Sequence, residues 1–184
     1  MLEKTKESLL SSKVIQFGTE ENYFLNGISD GIPYISPLIL EELTDYIINN
    51  FILDGIERIV CIESMGIPIA TSLSLKTKIP FTIIRKKNYK LKNEYEITQN
   101  TSYKKDKKLY INGLEPNMNV LLIDDVISTG GTIVGIIDKL KKMKINIINT
   151  IILIEVKNNY DKSHLNYDSL IEIEIKNKKV KVVK

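Results

Sequence analysis

Apolar positions in this chain fall into short unbroken runs, and these alternate with segments of helical spacing. Arg58-Ile-Val-Cys-Ile62, Phe81-Thr-Ile-Ile84, Val120-Leu-Leu-Ile123 and the mostly apolar Asn146 to Val156 lack the every-second-residue alternation of a half-exposed strand. That is the pattern of strands buried on both faces of a parallel sheet. Between them lie helical patterns. Ser36-Pro37 opens one, with Ser36 as N-cap and Pro37 in the first turn. Its apolar face is Leu38, Leu40, Leu43, Ile47 and Ile48, and it is predicted to end near Asp54-Gly55, where glycine suits a left-handed cap. Ile67 to Lys76 forms another, and Ile133, Ile136, Ile137 and Leu140 mark a third.

The remaining segments carry weaker patterns. Residues 2 to 13 predict a short helix, and Asn22 to Ile35 reads as irregular because of its turn dipeptides. Asn88 to Asn112 has little periodicity beyond possible hairpin arms at Tyr95–Gln99 and Lys107–Ile111. Glu172 to Ile175 and Val180 to Val183 alternate as edge strands joined at Asn177-Lys178. The whole predicts an α/β fold in one domain, residues 1–184: a parallel sheet flanked by helices.

The chemistry gathers where strands end. Asp124 and Asp125 follow the run Val120 to Ile123, and Ser128-Thr129-Gly130-Gly131-Thr132 then leads into a helix. Ligands of open α/β sheets bind at the carboxyl ends of strands. A small-residue loop at a helix N-terminus cradles phosphate, because its N–H groups point outward and the helix dipole favours an anion. Neither a Walker loop nor a dinucleotide fingerprint is present. Two carboxylates would repel phosphate, yet they accept hydrogen bonds from hydroxyls. Together they suit a ligand with vicinal hydroxyls close to its phosphate, such as a ribose 5-phosphate unit. A second small loop, Glu63-Ser64-Met65-Gly66, follows the run ending at Ile62, and Arg85-Lys86-Lys87 stands at the tip of the run ending at Ile84. A guanidinium and two ammonium groups at that end of a sheet can neutralise a diphosphate.

Composition narrows the classes. No window reaches the roughly 18 to 20 consecutive apolar residues of a membrane span, and Met1 to Glu7 lacks the apolar core of a signal peptide. A net charge of +3 is too small to argue for nucleic acid, and a single cysteine, Cys61, excludes an internal disulfide. Cys61 and the single histidine, His164, read as a buried hydrophobe and a solvated loop residue, and Lys104 to Lys108 reads as a solvated face. The expected setting is cytoplasmic, without membrane or nucleic acid.

The run Val120-Leu-Leu-Ile-Asp-Asp-Val-Ile-Ser-Thr-Gly-Gly-Thr132 closely resembles the phosphoribosyl pyrophosphate signature of type I phosphoribosyltransferases. The resemblance implies that Asp124 and Asp125 grip the ribose hydroxyls, and that Ser128, Thr129, Gly130, Gly131 and Thr132 hold the 5′-phosphate. It makes Glu63, Ser64, Met65 and Gly66 the pyrophosphate loop. It gives Arg85 and Lys86 to the leaving diphosphate, and makes Lys87 and Tyr103 part of the basic tip and the flexible loop, about residues 86–112. A hood, mainly residues 14–37, would set base choice, with Ile28, Ile32, Val126 and Ile127 at the base. Mg²⁺ is implied, held mainly through substrate, so no protein metal ligand is named. A homodimer is implied as well.

The segments Asn26 to Pro33, Glu63 to Thr71 and Leu109 to Gly113 are similar to the archaeal-type hypoxanthine/guanine enzymes, a subgroup resembling adenine phosphoribosyltransferases. The hypoxanthine/guanine enzymes of other lineages carry Asp at the position of Ser128, whereas adenine enzymes carry a small residue there. The expected reaction therefore joins hypoxanthine or guanine to phosphoribosyl pyrophosphate, and adenine is the alternative base. Adenine enzymes also have Glu before the loop tyrosine, where this chain has Ser102. A regulator that binds phosphoribosyl pyrophosphate without catalysis is the alternative of another class.

Overall fold

The computed structural model describes residues 2–18, 20–98, 108–157 and 160–184. Its centre is a six-stranded sheet in the order β10-β9-β8-β7-β3-β4. The strands β3 (Arg58–Ile62), β4 (Phe81–Ile84), β7 (Asn119–Ile127), β8 (Asn146–Val156) and β9 (Asp168–Lys176) run parallel. β10 (Lys179–Val182) folds back antiparallel at one edge. The four apolar runs are thus sheet strands, and β3 and β7, the most interior in composition, are almost wholly buried.

Each face of the sheet carries its own core. On one, Ile59, Cys61, Leu121 and Ile123 pack with Leu43 and Ile47 of α3 (Pro37–Asn50) and Ile69 and Leu73 of α4 (Gly66–Thr77). Leu9 of α1 (Glu3–Leu10) joins them. On the other, Val60, Val120 and Leu122 pack with Ile133, Ile136 and Leu140 of α5 (Gly131–Lys142). Ile97 and Leu109 of the hairpin β5 (Tyr95–Thr98) and β6 (Lys108–Ile111) close that side. The hairpin is tied to β4 by a pair of main-chain bonds: Arg85 N donates to Tyr110 O at 2.8 Å, and Tyr110 N donates to Arg85 O at 2.7 Å. This stitch sets the hairpin beside the end of β4 that carries the basic tip. Above the sheet ends stands a hood made of the hairpin β1 (Lys13–Phe17) and β2 (Glu20–Leu25) and the single turn α2 (Gly27–Asp30).

Four expectations from the sequence need correction. The helix opened by Ser36 stops at Asn50, because Asn50 Nδ2 bonds Tyr46 O at 2.8 Å and Phe51 is already extended. Gly55 keeps its positive φ of 76°, but in a separate turn. Ser36 occupies the N-cap position without a side-chain cap bond. The segment read as irregular holds the end of β2 and all of α2, whose N-cap Asn26 accepts from Ile28 N at 2.9 Å. Finally, Glu172 to Ile175 is not an edge strand but the middle of β9, covered by β8 and β10. Glu172 and Glu174 lent β9 an edge-like alternation, although Ile171 and Ile173 are fully buried.

Candidate active site

β7 does not end before its acidic pair. It continues to Ile127, with Asp124 opposite Ile152 and Val126 opposite Ile154. Up to Ile123 its side chains alternate between the two cores, but beyond the pair Val126 packs with the α3–α4 core and Ile127 with the α5 core. The register with β8 stays constant from Ile123 to Ile127, so the cleft lies across the end of the strand and takes four consecutive residues, Asp124 to Ile127. Strict alternation would send two consecutive carboxylates to opposite faces, whereas here both line one cleft of about 320 Å³.

The walls of the cleft come from three strand ends. Beyond β7 the chain passes through Ser128 and Thr129 to Gly130, whose φ of 82° makes it a left-handed N-cap for α5, and every residue from Ser128 to Thr132 lines the cleft. Ile62 contributes from the end of β3, Glu63 from just beyond it, Lys86 from beyond β4, and Leu109 from the hairpin. The Glu63–Ser64 peptide is cis, and the loop runs into the N-terminus of α4 at Gly66. Gly66 leaves room for little else: a Cβ there would lie 3.2 Å from Asp124 Oδ1 and 3.4 Å from Cys61 Cβ. The three basic residues diverge. Lys86 faces the cleft, Arg85 Nη1 approaches Glu63 Oε2 at 4.0 Å, and Lys87 Nζ sits 5.3 Å from the Tyr89 ring centre.

The base-side candidates are also divided. Val126 and Ile127 line the main cleft, whereas Ile28 is buried within the hood and Ile32 is half-exposed; both line a second hollow of about 380 Å³. Met65 lies within reach of the hood, since a Cβ on Gly31 would come 3.7 Å from Met65 Cε. Tyr103 lies outside the described residues. His164 is exposed. Among the described residues there is no group of three or more His, Cys, Asp or Glu placed to hold a metal ion.

Burial and mutual repulsion govern the acidic pair. Asp124 is 8% exposed, and its carboxyl is pushed well above the ordinary range, first by burial and then by the Asp125 charge. Burial also raises Asp125, to about 6, despite hydrogen bonds to its carboxylate from main-chain N–H groups. Without a ligand, then, the pair favours a state that keeps a proton between its members. Cys61 lies just beneath, fully buried, with its thiol pushed up to about 12 by burial and then by Asp124. Native Cys61 is therefore expected to resist iodoacetamide until denaturant is added; rapid alkylation of the folded protein, read by intact mass, would contradict this packing.

One buried residue at the back of the site went unmarked by the sequence pattern. Lys162 is 8% exposed, and its Nζ donates to Ser128 O at 3.0 Å and Val156 O at 2.9 Å. It sits in a polar segment with no period, where a lysine reads as solvated.

Comparison with known proteins agrees with this geometry. The family described as "Phosphoribosyl transferase domain" matches residues 38–183. A protein of Methanosarcina acetivorans named hypoxanthine/guanine phosphoribosyltransferase is 49% identical over 154 residues, covering 84% of this chain and 80% of the relative. One of Methanobrevibacter ruminantium with the same name is 41% identical over 184 residues, covering 98% and 97%. Among solved structures, the adenine phosphoribosyltransferase of Saccharomyces cerevisiae superposes with a TM-score of 0.74 at 21% identity, over 92% of this chain and 98% of that one. That of Trypanosoma brucei, solved with AMP, pyrophosphate and ribose-5-phosphate, gives 0.73 at 16% identity, over 93% and 79%. At these identities the structural likeness speaks for the fold.

Proposed function

The chain belongs to the phosphoribosyl transferase domain family, and from that premise we propose that it transfers the phosphoribosyl group of phosphoribosyl pyrophosphate to hypoxanthine or guanine. The products are IMP or GMP and pyrophosphate. One observation carries the reading: two adjacent carboxylates and a small-residue loop at a helix N-terminus line the same cleft. Relatives over 40% identical that bear the hypoxanthine/guanine name support the choice of base.

In this mechanism the bond from the anomeric carbon to the diphosphate breaks as a purine nitrogen bonds to that carbon, and the purine releases its proton. Asp124 and Asp125 hold the ribose hydroxyls and stabilise positive charge on the sugar. The N–H groups and hydroxyls from Ser128 to Thr132 hold the 5′-phosphate at the head of α5. The Glu63–Gly66 loop, Arg85 and Lys86 receive the departing diphosphate, and Lys87 adds charge at its margin. Val126 and Ile127 bear on the base, with the hood, including Ile28 and Ile32, above it. The residues work by positioning and electrostatics, since a reacting pair held in line needs little further chemistry.

Among the described residues no set of three carboxylates stands ready for a metal, so Mg²⁺ would be held mainly through the oxygens of the substrate and water, with the acidic side chains of the cleft nearby. When bound, it supplies charge neutralisation at the diphosphate. A cytoplasmic setting and a pairing of two copies complete the proposal on family resemblance; no helix among the described residues is long and apolar enough to cross a membrane.

The test is a base panel with phosphoribosyl pyrophosphate and Mg²⁺: hypoxanthine, guanine, adenine, xanthine, uracil and orotate. IMP and GMP are expected to form fastest. AMP as the main product would move the protein to the adenine enzymes, as the small Ser128 would permit. Binding without turnover of any base would make it a regulator.

A further inference from the structure

Ser128 to Thr132 can hold a phosphate only if their N–H groups face the cleft, and something must keep them so before the ligand arrives. The Ser128–Thr129 peptide is trans, so its C=O and N–H point in opposite directions. Lys162 Nζ takes the Ser128 carbonyl at 3.0 Å, and Lys162 does not line the cleft. The cation therefore lies behind the loop, and the Thr129 N–H is turned away from it, toward the cleft. A second observation fixes the same wall. A Cβ on Gly130 would lie 2.9 Å from Leu165 Cδ1 and 3.7 Å from Lys162 Cγ, so the Lys162–Leu165 turn presses directly on the loop.

Lys162 is itself held in place. Its Nζ lies 3.4 Å from Glu155 Oε1, and the Glu155 side chain is as deeply buried as its own. Burial alone would raise Glu155, but the Lys157 and Tyr167 hydrogen bonds and the Lys157 and Lys162 charges keep its carboxylate below the ordinary range. Lys157 joins Glu155 and Glu172, each at 3.2 Å. The cation so placed does two things. It polarises the Ser128 peptide, strengthening the N–H donor on the far side, and it sets a positive charge in a region of low dielectric behind the anion.

We propose that Lys162 is a positioning residue for the 5′-phosphate, aiming the Thr129 N–H from behind the loop and setting the affinity for phosphorylated sugar. This rests on the phosphoribosyl reading of the cleft. The test measures binding of ribose 5-phosphate and, separately, of pyrophosphate by calorimetry, and the KM values of phosphoribosyl pyrophosphate and of the base. The variants are Lys162→Met, Lys162→Arg and the double variant Lys162→Met with Glu155→Gln, which strands no buried carboxylate. Folding is checked by thermal melting. In whichever Met variant folds, ribose 5-phosphate is expected to bind about tenfold more weakly or worse, and the KM for phosphoribosyl pyrophosphate to rise, while pyrophosphate affinity and the base KM stay unchanged. Lys162→Arg, which keeps a cation and its donors, is expected to restore much of the affinity. Unchanged ribose 5-phosphate binding in a folded Met variant overturns the role of Lys162. Equal weakening of both ligands overturns it too, since that reports collapse of the whole cleft. Failure of the unaltered protein to bind ribose 5-phosphate defeats the reading of the cleft itself, and the proposal with it.

Discussion

Asp125→Asn is expected to make the protein more stable and far less active. The carboxyl of Asp125 is raised to about 6 by burial, so its ionised form is disfavoured in the fold relative to the unfolded chain. The sign follows from linkage: a carboxyl whose folded value lies above its unfolded value destabilises the fold once the pH exceeds both. The destabilisation is complete above pH 6 and fades as the pH falls through 6 toward the unfolded value near 4. An amide of the same shape removes it. At pH 7.5 the variant is therefore expected to melt at a higher temperature than the unaltered protein. The same change leaves a neutral dipole where positive charge develops on the sugar, and kcat/KM should fall about 10²- to 10³-fold. Melting curves from pH 4 to 8 and steady-state rates check both halves. The difference in melting temperature should shrink toward pH 4. A variant less stable than the unaltered protein at pH 7.5, or one of near-normal turnover, would sink this account of the pair.

That trade also separates what the amino-acid order makes legible from what it does not. The strands β3, β4 and β8 could be read residue for residue because their apolar residues cluster, most completely in the buried β3 and less so in β4, which is half-buried at the end of the sheet. The signature loop could be read because a phosphate cradle needs small residues and a helix start in one fixed order, and Gly130 and Gly131 stand where the backbone needs them. Other features depend on neighbours that a linear pattern does not contain. Asp124 and Asp125 share one cleft because it lies across the end of β7, where Val126 and Ile127 line it too. β9 is interior only because β10 pairs along its outer side. Lys162 is buried because the Glu155 carboxylate and the Ser128 and Val156 carbonyls meet it there, contacts made only once the chain turns back past the end of β8. The end of α3 turned on a competition between Gly55 further along and the Asn50 side chain bonding back at once, and the nearer bond prevailed. Of the base-side residues, Val126 and Ile127 follow from the signature, whereas Ile28 and Ile32 depend on how the hood closes.

The second large effect is expected at Gly66, and it has the opposite signature. Gly66 is the first residue of α4, at the point where the candidate pyrophosphate loop meets the acidic pair. A Cβ there would have three neighbours: Asp124 Oδ1 at 3.2 Å, Cys61 Cβ at 3.4 Å and Ile123 O at 3.4 Å. Two of these are rigid, since Ile123 O is main chain within β7 and Cys61 is fully buried in β3. Only the Asp124 carboxylate can yield. Gly66→Ala asks it to move by a few tenths of an ångström, whereas the two methyl groups of Gly66→Val ask for more and press on the loop as well. A displacement of about 1 Å in a positioning group costs on the order of a hundredfold in rate, and overpacking of this kind destabilises by about 1 to 3 kcal/mol. Gly66→Val is therefore expected to lose about a hundredfold in kcat/KM and to melt lower, with Gly66→Ala between it and the unaltered protein. Asp125→Asn loses activity while gaining stability, and Gly66→Val loses both, so the two variants distinguish removal of a charge from displacement of one. If Gly66→Val turned over normally, the Asp124 carboxylate could not be held by the head of α4, and the ribose would have to be gripped by Asp125 and the cleft walls alone.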